Sequence, residues 1–419
     1  GLGRMSSLTR DSTWAIGILL ACLLLYGTTL SPSVLREDGG ELQMASYVLG
    51  VAHPTGYPLF LLLGWIVTHL PLGSDVAYRL TLLSMFSACA AMTVFYLLLR
   101  ELDIRAAVAA CSVLLLASAP CLWIHAAAAE VYPLSVFFIL LGSWLLLRWG
   151  KGSTPLWIVA LAFGFGLTHH ISLRLLGPAV LIYILLTEPR LHLRPRRWLP
   201  ALATLLLPLV LYAYIPLRAE HFLAMPELQG EIAGVRRVVA SGYVSPSYFP
   251  RGMIDFILVA DVPRSVLSAA GLQSAVVLQY LRMAQAQYPL LVVFLVALLG
   301  LGALLARQRR AAIYFLVAHL LVLWVALGWW AEMGRGADQF IPAHVLVIVW
   351  FAAGANALIG WLHRRWQLST WKRLLPIMLV AAIPLCNIVW HYPEALANRQ
   401  TDVRSQAQAV LDDSLPQGP

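Results

Sequence analysis

The stretch REDGGELQMASYVLGVAHPTGYPLF, Arg36–Phe60, gathers three carboxylates, a Gly-Gly pair and a His-Pro turn in a chain with only 20 acids in 419 residues. An ionised carboxylate can take a proton from a hydroxyl, and a guanidinium or imidazolium can hold a departing phosphate. Asp38 and Glu41 are the candidate catalytic carboxylates, with Asp38 as the base. Further ionisable residues recur at the ends of apolar runs. They are His125 and Glu130 in HAAAAEVY, His169 and His170 in GLTHH with Arg174 close behind, Arg218 in YIPLRAE, and Glu332, Arg335 and Asp338 in AEMGRGADQF. Charge at membrane depth is costly, so groups of this kind converging on one side suggest a site. For an anion, Arg218 is the first choice, then His170 and Arg335, with His53, Glu130, His169 and Asp338 as further binding residues.

Each residue also has a plainer reading. Asp38 and Glu41, spaced D-x-x-E before Leu42, Ala45, Leu49 and Ala52, could be a helix N-cap and its capping-box partner. Against that, Gly39-Gly40 would then fill the first helical turn, where each glycine costs ~1 kcal/mol relative to alanine. Glycines fit better where the backbone must approach a ligand. His53-Pro54 could be a turn breaker, Glu130 a cap for the following helix, and Arg218 a side chain snorkelling to headgroups. His169 and His170 are adjacent, so on a helix they point about 100° apart and at least one packs without facing the site.

The elements that must position these residues are membrane spans. Sixty per cent of the residues are hydrophobic, 12% are charged and the mean hydropathy is +0.77. Long apolar runs recur without alternation, which indicates a polytopic α-helical membrane protein and excludes a β-barrel. The runs predict eleven spans: 13–30, 79–99, 106–124, 131–149, 154–170, 171–187, 198–217, 285–306, 311–331, 339–363 and 374–391. Segment 57–71 is too short to cross and reads as an interfacial or re-entrant helix. With the N-terminus inside, the loops 1–12, 100–105, 148–153, 188–197, 307–310 and 364–373 hold most of the 29 Lys and Arg and few of the acids, as the positive-inside tendency requires. Outside lie 31–78, 218–284 and the tail 392–419, with interfacial helices expected at Gly252–Ala260 and Val266–Tyr280. Residues 1–391 thus read as one transmembrane domain with outer loops 31–78 and 218–284, and 392–419 as an outer-face tail.

The net charge of +9 comes from loops facing anionic lipid, so no nucleic-acid partner is expected. The five cysteines show no metal spacing and predict neither a zinc site nor a disulfide framework. P-loop, H-E-x-x-H, G-x-S-x-G and dinucleotide signatures are absent.

Asp38-Gly39-Gly40-Glu41, then LGVAHPTGYPLFLLLG, AAAAEVYPLSVFF, GLTHH, YIPLRA and DQFIPAH, resembles in that order the bacterial relatives of the transmembrane protein O-mannosyltransferases, which are polytopic glycosyltransferases of the GT-C class. The resemblance runs from about Leu30 to His344. It implies an all-α membrane enzyme that takes a sugar from a polyprenyl-phosphate carrier on the outer face of the bacterial inner membrane. The acceptor would be a protein Ser/Thr or glycan hydroxyl, and Asp38 would stand where the class has its essential acid.

The residues fit that chemistry by themselves. Displacing phosphate from an anomeric carbon needs a base for the incoming hydroxyl and positive charge for the leaving group, and a single displacement inverts the configuration. The lipid-phosphate donor replaces a nucleotide, and no cofactor is required, although the carboxylates would accept a divalent metal. The competing reading is a transporter or flippase of lipid-linked sugars. That would favour charges at the middle of spans and inverted repeats, and the chain shows neither.

Overall fold

A computed structural model describes residues 2–53, 55–73, 75–170, 172–223, 273–333, 337–366, 372–397, 399 and 403. Among them every regular element is helical. In chain order these are α1 Leu2–Gly27, α2 Glu37–Tyr47, α3 Pro58–His69, α4 Val76–Glu101, α5 Ala106–Ala117, α6 Pro120–Ala126, α7 Tyr132–Gly150, α8 Leu156–Leu167, α9 Ser172–Leu175, α10 Gly177–Thr187, α11 Pro195–Leu206 and α12 Tyr214–Leu223. Then come α13 Ser274–Gln287, α14 Leu290–Arg307, α15 Arg309–Met333, α16 Ile341–Arg365 and α17 Leu374–Ala397, with a 3₁₀ turn at Ala337–Phe340 before α16.

Each of the eleven expected runs is helical, but fewer have the length and apolarity to cross. Among the described residues six helices qualify, and eight do if each of two bent pairs counts as one span. The pairs are α5–α6, bent by 71°, and α13–α14, bent by 100°. Helices α8 and α9–α10, expected as full spans, are short apolar helices, and 11–27 of α1 is another. Those three short helices account for the difference between eleven and eight, while the expected span 106–124 is interrupted at Ser118–Ala119, where Pro120 starts a new helix. Helix α3 has 12 residues, about 18 Å of rise, so it is a short helix as expected of 57–71. Of the expected interfacial segments, Gly252–Ala260 lies outside the described residues, as does Val266–Leu272. The rest of the second segment belongs to α13.

Helix α16 is the central strut: 72% of its span window is buried, against 22% for Leu374–Ala397 and for Pro195–Arg218. It crosses α14 at a glycine pair. A Cβ on Gly354 would lie 1.8 Å from the Val296 carbonyl, and one on Gly300 the same distance from that of Trp350, so only glycine permits this backbone approach. The two helix breaks are tied together by Asn387 of α17. Its amide donates to the Ser118 carbonyl (3.0 Å) at one break and to the Gln287 carbonyl (3.1 Å) at the other. Carbonyls freed by a break within the membrane need such a donor, since lipid supplies none. The five cysteines are free thiols.

Candidate active site

The first loop folds back under its own helix. Helix α2 begins at Glu37, and its N-cap position is Arg36, which makes no side-chain cap bond. The capping-box reading is thereby corrected: Asp38 is inside the first turn, and Glu41 turns to the far end of the loop. Glu41 Oε1 accepts from the His53 backbone N–H (2.8 Å), and Oε2 lies 2.7 Å from His53 Nδ1. The glycine pair is explained by packing. A Cβ on Gly40 would lie 2.5 Å from the Leu35 carbonyl, and one on Gly39 would meet the Leu35 side chain and approach Ala129 O at 3.4 Å. The backbone approaches protein there, where a ligand had been expected. Ser31 N–H donates to Ala127 O (2.9 Å), so the α2 N-terminus is laid against the loop that carries Glu130.

Three of the four non-glycine residues with positive φ among the described residues belong to this loop: Glu37 (53°), Leu49 (52°) and Tyr57 (42°). Left-handed backbone at such residues persists only where surrounding contacts impose it, and it clusters at functional sites. The contacts are visible. Arg218 Nε donates to Leu49 O (2.8 Å) and its Nη2 to Val48 O (3.0 Å), while Tyr214 Oη donates to Gly50 O. The guanidinium chosen for an anion thus uses two of its N–H groups to fix the end of α2.

Asp38 is exposed, whereas the groups around it are partly or fully buried. Asp38, Glu41 and His53 each offer a ligand atom within 4.8 Å of the others, a set that could hold a cation. From His53 a continuous row of rings crosses the site. His53 Nε2 lies 3.1 Å from Tyr57 Oη, the Tyr57 ring stacks on His170 at 6.1 Å, and His170 meets Tyr132 edge-on at 5.4 Å. Tyr132 Oη donates to Asp338 Oδ2 and accepts from Gln339 Nε2 (3.2 Å), and His125 abuts its ring at 4.9 Å. Residues from the loop after α2, the loop after α8, the start of α7 and the turn before α16 therefore form one contiguous surface.

His169 and His170 diverge as their adjacency predicted. His169 packs against Phe60 and Phe138 and donates from Nε2 to Val131 O (2.8 Å); its Nδ1 has no partner among the described residues. His170 belongs to the ring row, its Nδ1 accepting from Ser172 N–H (3.2 Å). Burial lowers His169 to about 4, and burial with His169, Arg174 and His53 nearby lowers His170 to about 3. At neutral pH His170 thus offers a neutral donor and not a cation. Arg174 donates to Tyr212 Oη (3.3 Å).

Glu130 is held by Ser84 of α4, which accepts from its N–H (2.9 Å) and donates to its C=O (2.8 Å). Burial first, then the carboxylates of Asp38 and Asp338, push the Glu130 carboxyl up from 4.5 to about 8, with His53 opposing. At neutral pH it is mostly protonated, and it lies near the exposed Asp38. Arg335 lies outside the described residues, and Glu332 is exposed at the end of α15. Tyr57 and Tyr132 were not singled out from the sequence. Their signal was position alone, each ending a chemistry-bearing stretch (HPTGY and AEVY) just before a helix.

Residues 38–192 match the family model described as the Protein O-mannosyl-transferase TMEM260 N-terminal domain. The chain is 31% identical over 149 residues to the Protein O-mannosyl-transferase tmem260 of Dictyostelium discoideum, covering 34% of this chain and 18% of that protein. It is 43% identical over 88 residues to the mouse protein of the same description, covering 20% and 12%. The matched part thus spans under a fifth of these relatives' length. Among solved structures, ArnT from Cupriavidus metallidurans bound to undecaprenyl phosphate superposes with a TM-score of 0.52 at 14% identity, over 88% of this chain and 64% of that one. The fold is accordingly that of a GT-C-like integral membrane protein, and its first part is O-mannosyltransferase-like, as the sequence motifs implied.

Proposed function

We propose that the chain is a membrane glycosyltransferase that moves mannose or a similar hexose from a polyprenyl-phosphate carrier to an acceptor hydroxyl on a protein Ser/Thr or a glycan. The observation that carries this reading is Asp38, an exposed acid beside the half-buried Glu130 and within a few ångströms of Glu41 and His53. The names of the relatives, and the carrier phosphate in the ArnT structure, supply the sugar and donor class.

In this mechanism Asp38 takes the proton of the acceptor hydroxyl as its oxygen bonds to the anomeric carbon. The bond from that carbon to the carrier's phosphate oxygen breaks, and its electron pair leaves with the phosphate, inverting the configuration. Arg218, the neutral His170 ring and Arg335 are assigned to the phosphate. Glu41 holds His53, and through it the Asp38 loop. Glu130, protonated, presents a hydrogen-bond donor next to the base, while Tyr132 carries Asp338 into the same surface. Any divalent cation would be held by Asp38, Glu41 and His53 and would add charge stabilisation; no step above requires one. The site is assigned to the outer face of the bacterial inner membrane with the N-terminus inside, on the strength of the charge asymmetry.

The test is reconstituted protein given radiolabelled polyprenyl-phosphate mannose and candidate peptide or glycan acceptors. Label appearing on an acceptor with release of carrier phosphate is the expected result. Movement of intact lipid-linked sugar across vesicles without cleavage would establish a flippase instead.

A further inference from the structure

At the end of the bundle remote from Asp38, a cavity of about 320 Å³ opens between α7, α10 and the α14–α15 turn. Its polar lining is Lys151, Tyr183, Arg307, Gln308, Arg309 and Arg310, and no carboxylate lines it. Lys151 reaches Glu101 at 3.0 Å. Among the described residues no carboxylate comes within ion-pair distance of Arg307, Arg309 or Arg310. The turn is held from its other side by a neutral group, Gln308 Nε2 donating to Asp103 Oδ2 (3.1 Å). Asp103 is thus a carboxylate at this turn that Gln308 engages, while Arg307, Arg309 and Arg310 form no ion pair among the described residues.

Two further observations point the same way. Arg309 and Arg310 begin α15, whose first turn contains no acid, so cations occupy the helix pole that the backbone dipole makes unfavourable for them. Beyond the turn, the Arg105 and Arg364 guanidiniums both approach Gly360, within 3.2 and 3.4 Å of where its Cβ would be. Burial, Arg364 and Arg307 together lower the affinity of Arg105 for its proton. Like charges gathered at this density repel unless an anion screens them. Exposed tryptophans at the same end, Trp157, Trp361 and Trp366, mark headgroup depth.

We propose that this cavity binds the phosphate of an anionic phospholipid headgroup, with Arg307, Arg309 and Arg310 as its ligands. The acyl chains would lie along the exposed apolar face of α14, which includes Leu298, Leu299 and Leu305. Charge complementarity and the depth of the tryptophans favour a lipid over a soluble phosphate.

The experiment uses the full chain in phosphatidylcholine vesicles with and without phosphatidylglycerol. It measures lipid retained through detergent extraction and the melting temperature, for wild type and for Arg307→Gln, Arg309→Gln and Arg310→Gln together. The expected result is selective retention and stabilisation by phosphatidylglycerol, weakened about fivefold per arginine and roughly a hundredfold in the triple variant. The single Arg309→Gln variant provides the same reading if the triple variant does not fold. Equal retention by wild type and variant overturns the proposal. So does an equal loss on Arg196→Gln with Arg197→Gln, which would indicate a diffuse basic surface. Glycerol phosphate or inorganic phosphate protecting as well as phosphatidylglycerol would reassign the site to a free anion.

Discussion

Glu101 and Glu130 are the same residue type, one ending α4 and the other fastened to it through Ser84, and their surroundings are opposite. Glu101, 17% exposed, has Lys151 at 3.0 Å and Arg148 at 3.8 Å. Glu130 is half-buried, takes part in none of the ion pairs among the described residues, and faces the carboxylates of Asp38 and Asp338. A paired glutamate at a helix end is a structural fastening of small value. A half-buried glutamate set among other acids lowers stability at neutral pH, and is retained where chemistry needs a proton held near that pH.

The comparison breaks most easily at Asp38. Asp38→Asn should lower the transfer rate by about 10²–10⁴-fold, the usual size of a general-base contribution, with an unchanged melting curve. A near wild-type rate in initial-velocity assays would remove Asp38 from the mechanism.

Glu130→Gln tests the other half through pH. The folded protein binds the Glu130 proton more tightly than the unfolded chain, so this group stabilises fully below pH 4.5 and loses that contribution as pH rises to about 8. His169 and His170 act in the opposite sense below pH 6.5, so the difference between wild type and variant isolates Glu130. That difference should slope by at most one proton, about 1.4 kcal/mol per pH unit, and level off above pH 8. A flat difference across this window would show Glu130 to be ionised and the contrast with Glu101 to be false.

Asn387→Leu leaves the carbonyls of both helix breaks without their shared donor, and chemical denaturation should show a loss of about 1–3 kcal/mol. An effect below the error would mean the breaks are secured elsewhere. Smallest of all, Lys151→Met should change stability by no more than about 0.5 kcal/mol, because the lysine itself is exposed and Arg148 still reaches Glu101. A larger loss would make the basic end as finely set as the acidic one.

Much of the site was legible in the sequence because polar residues are so scarce in this composition that each one stands out. Asp38, Glu41, His53, Glu130, His170 and Asp338 were named from type and spacing, and the structure brings them together. What spacing misled on was local. D-x-x-E matched a capping box, yet the helix starts two residues earlier, with Arg36 at the N-cap, and Glu41 reaches 12 residues ahead to His53. Arg218 was read as an anion ligand or a snorkelling side chain, whereas two of its N–H groups hold the carbonyls of Val48 and Leu49. Tyr57 and Tyr132 drew no notice because an aromatic near a membrane interface is ordinary in any such chain.

The sequence by itself determined that the chain is helical and membrane-embedded, and which helix ends carry charge. Those follow from hydropathy and charge, which act residue by residue. Only the tertiary structure decided how many helices are long enough to cross, which histidine joins the ring row, and that Glu130 keeps its proton. Each of these depends on what lies opposite: the bend at Ser118, the turn from His169 to His170, and two carboxylates from distant loops brought within electrostatic reach of a third.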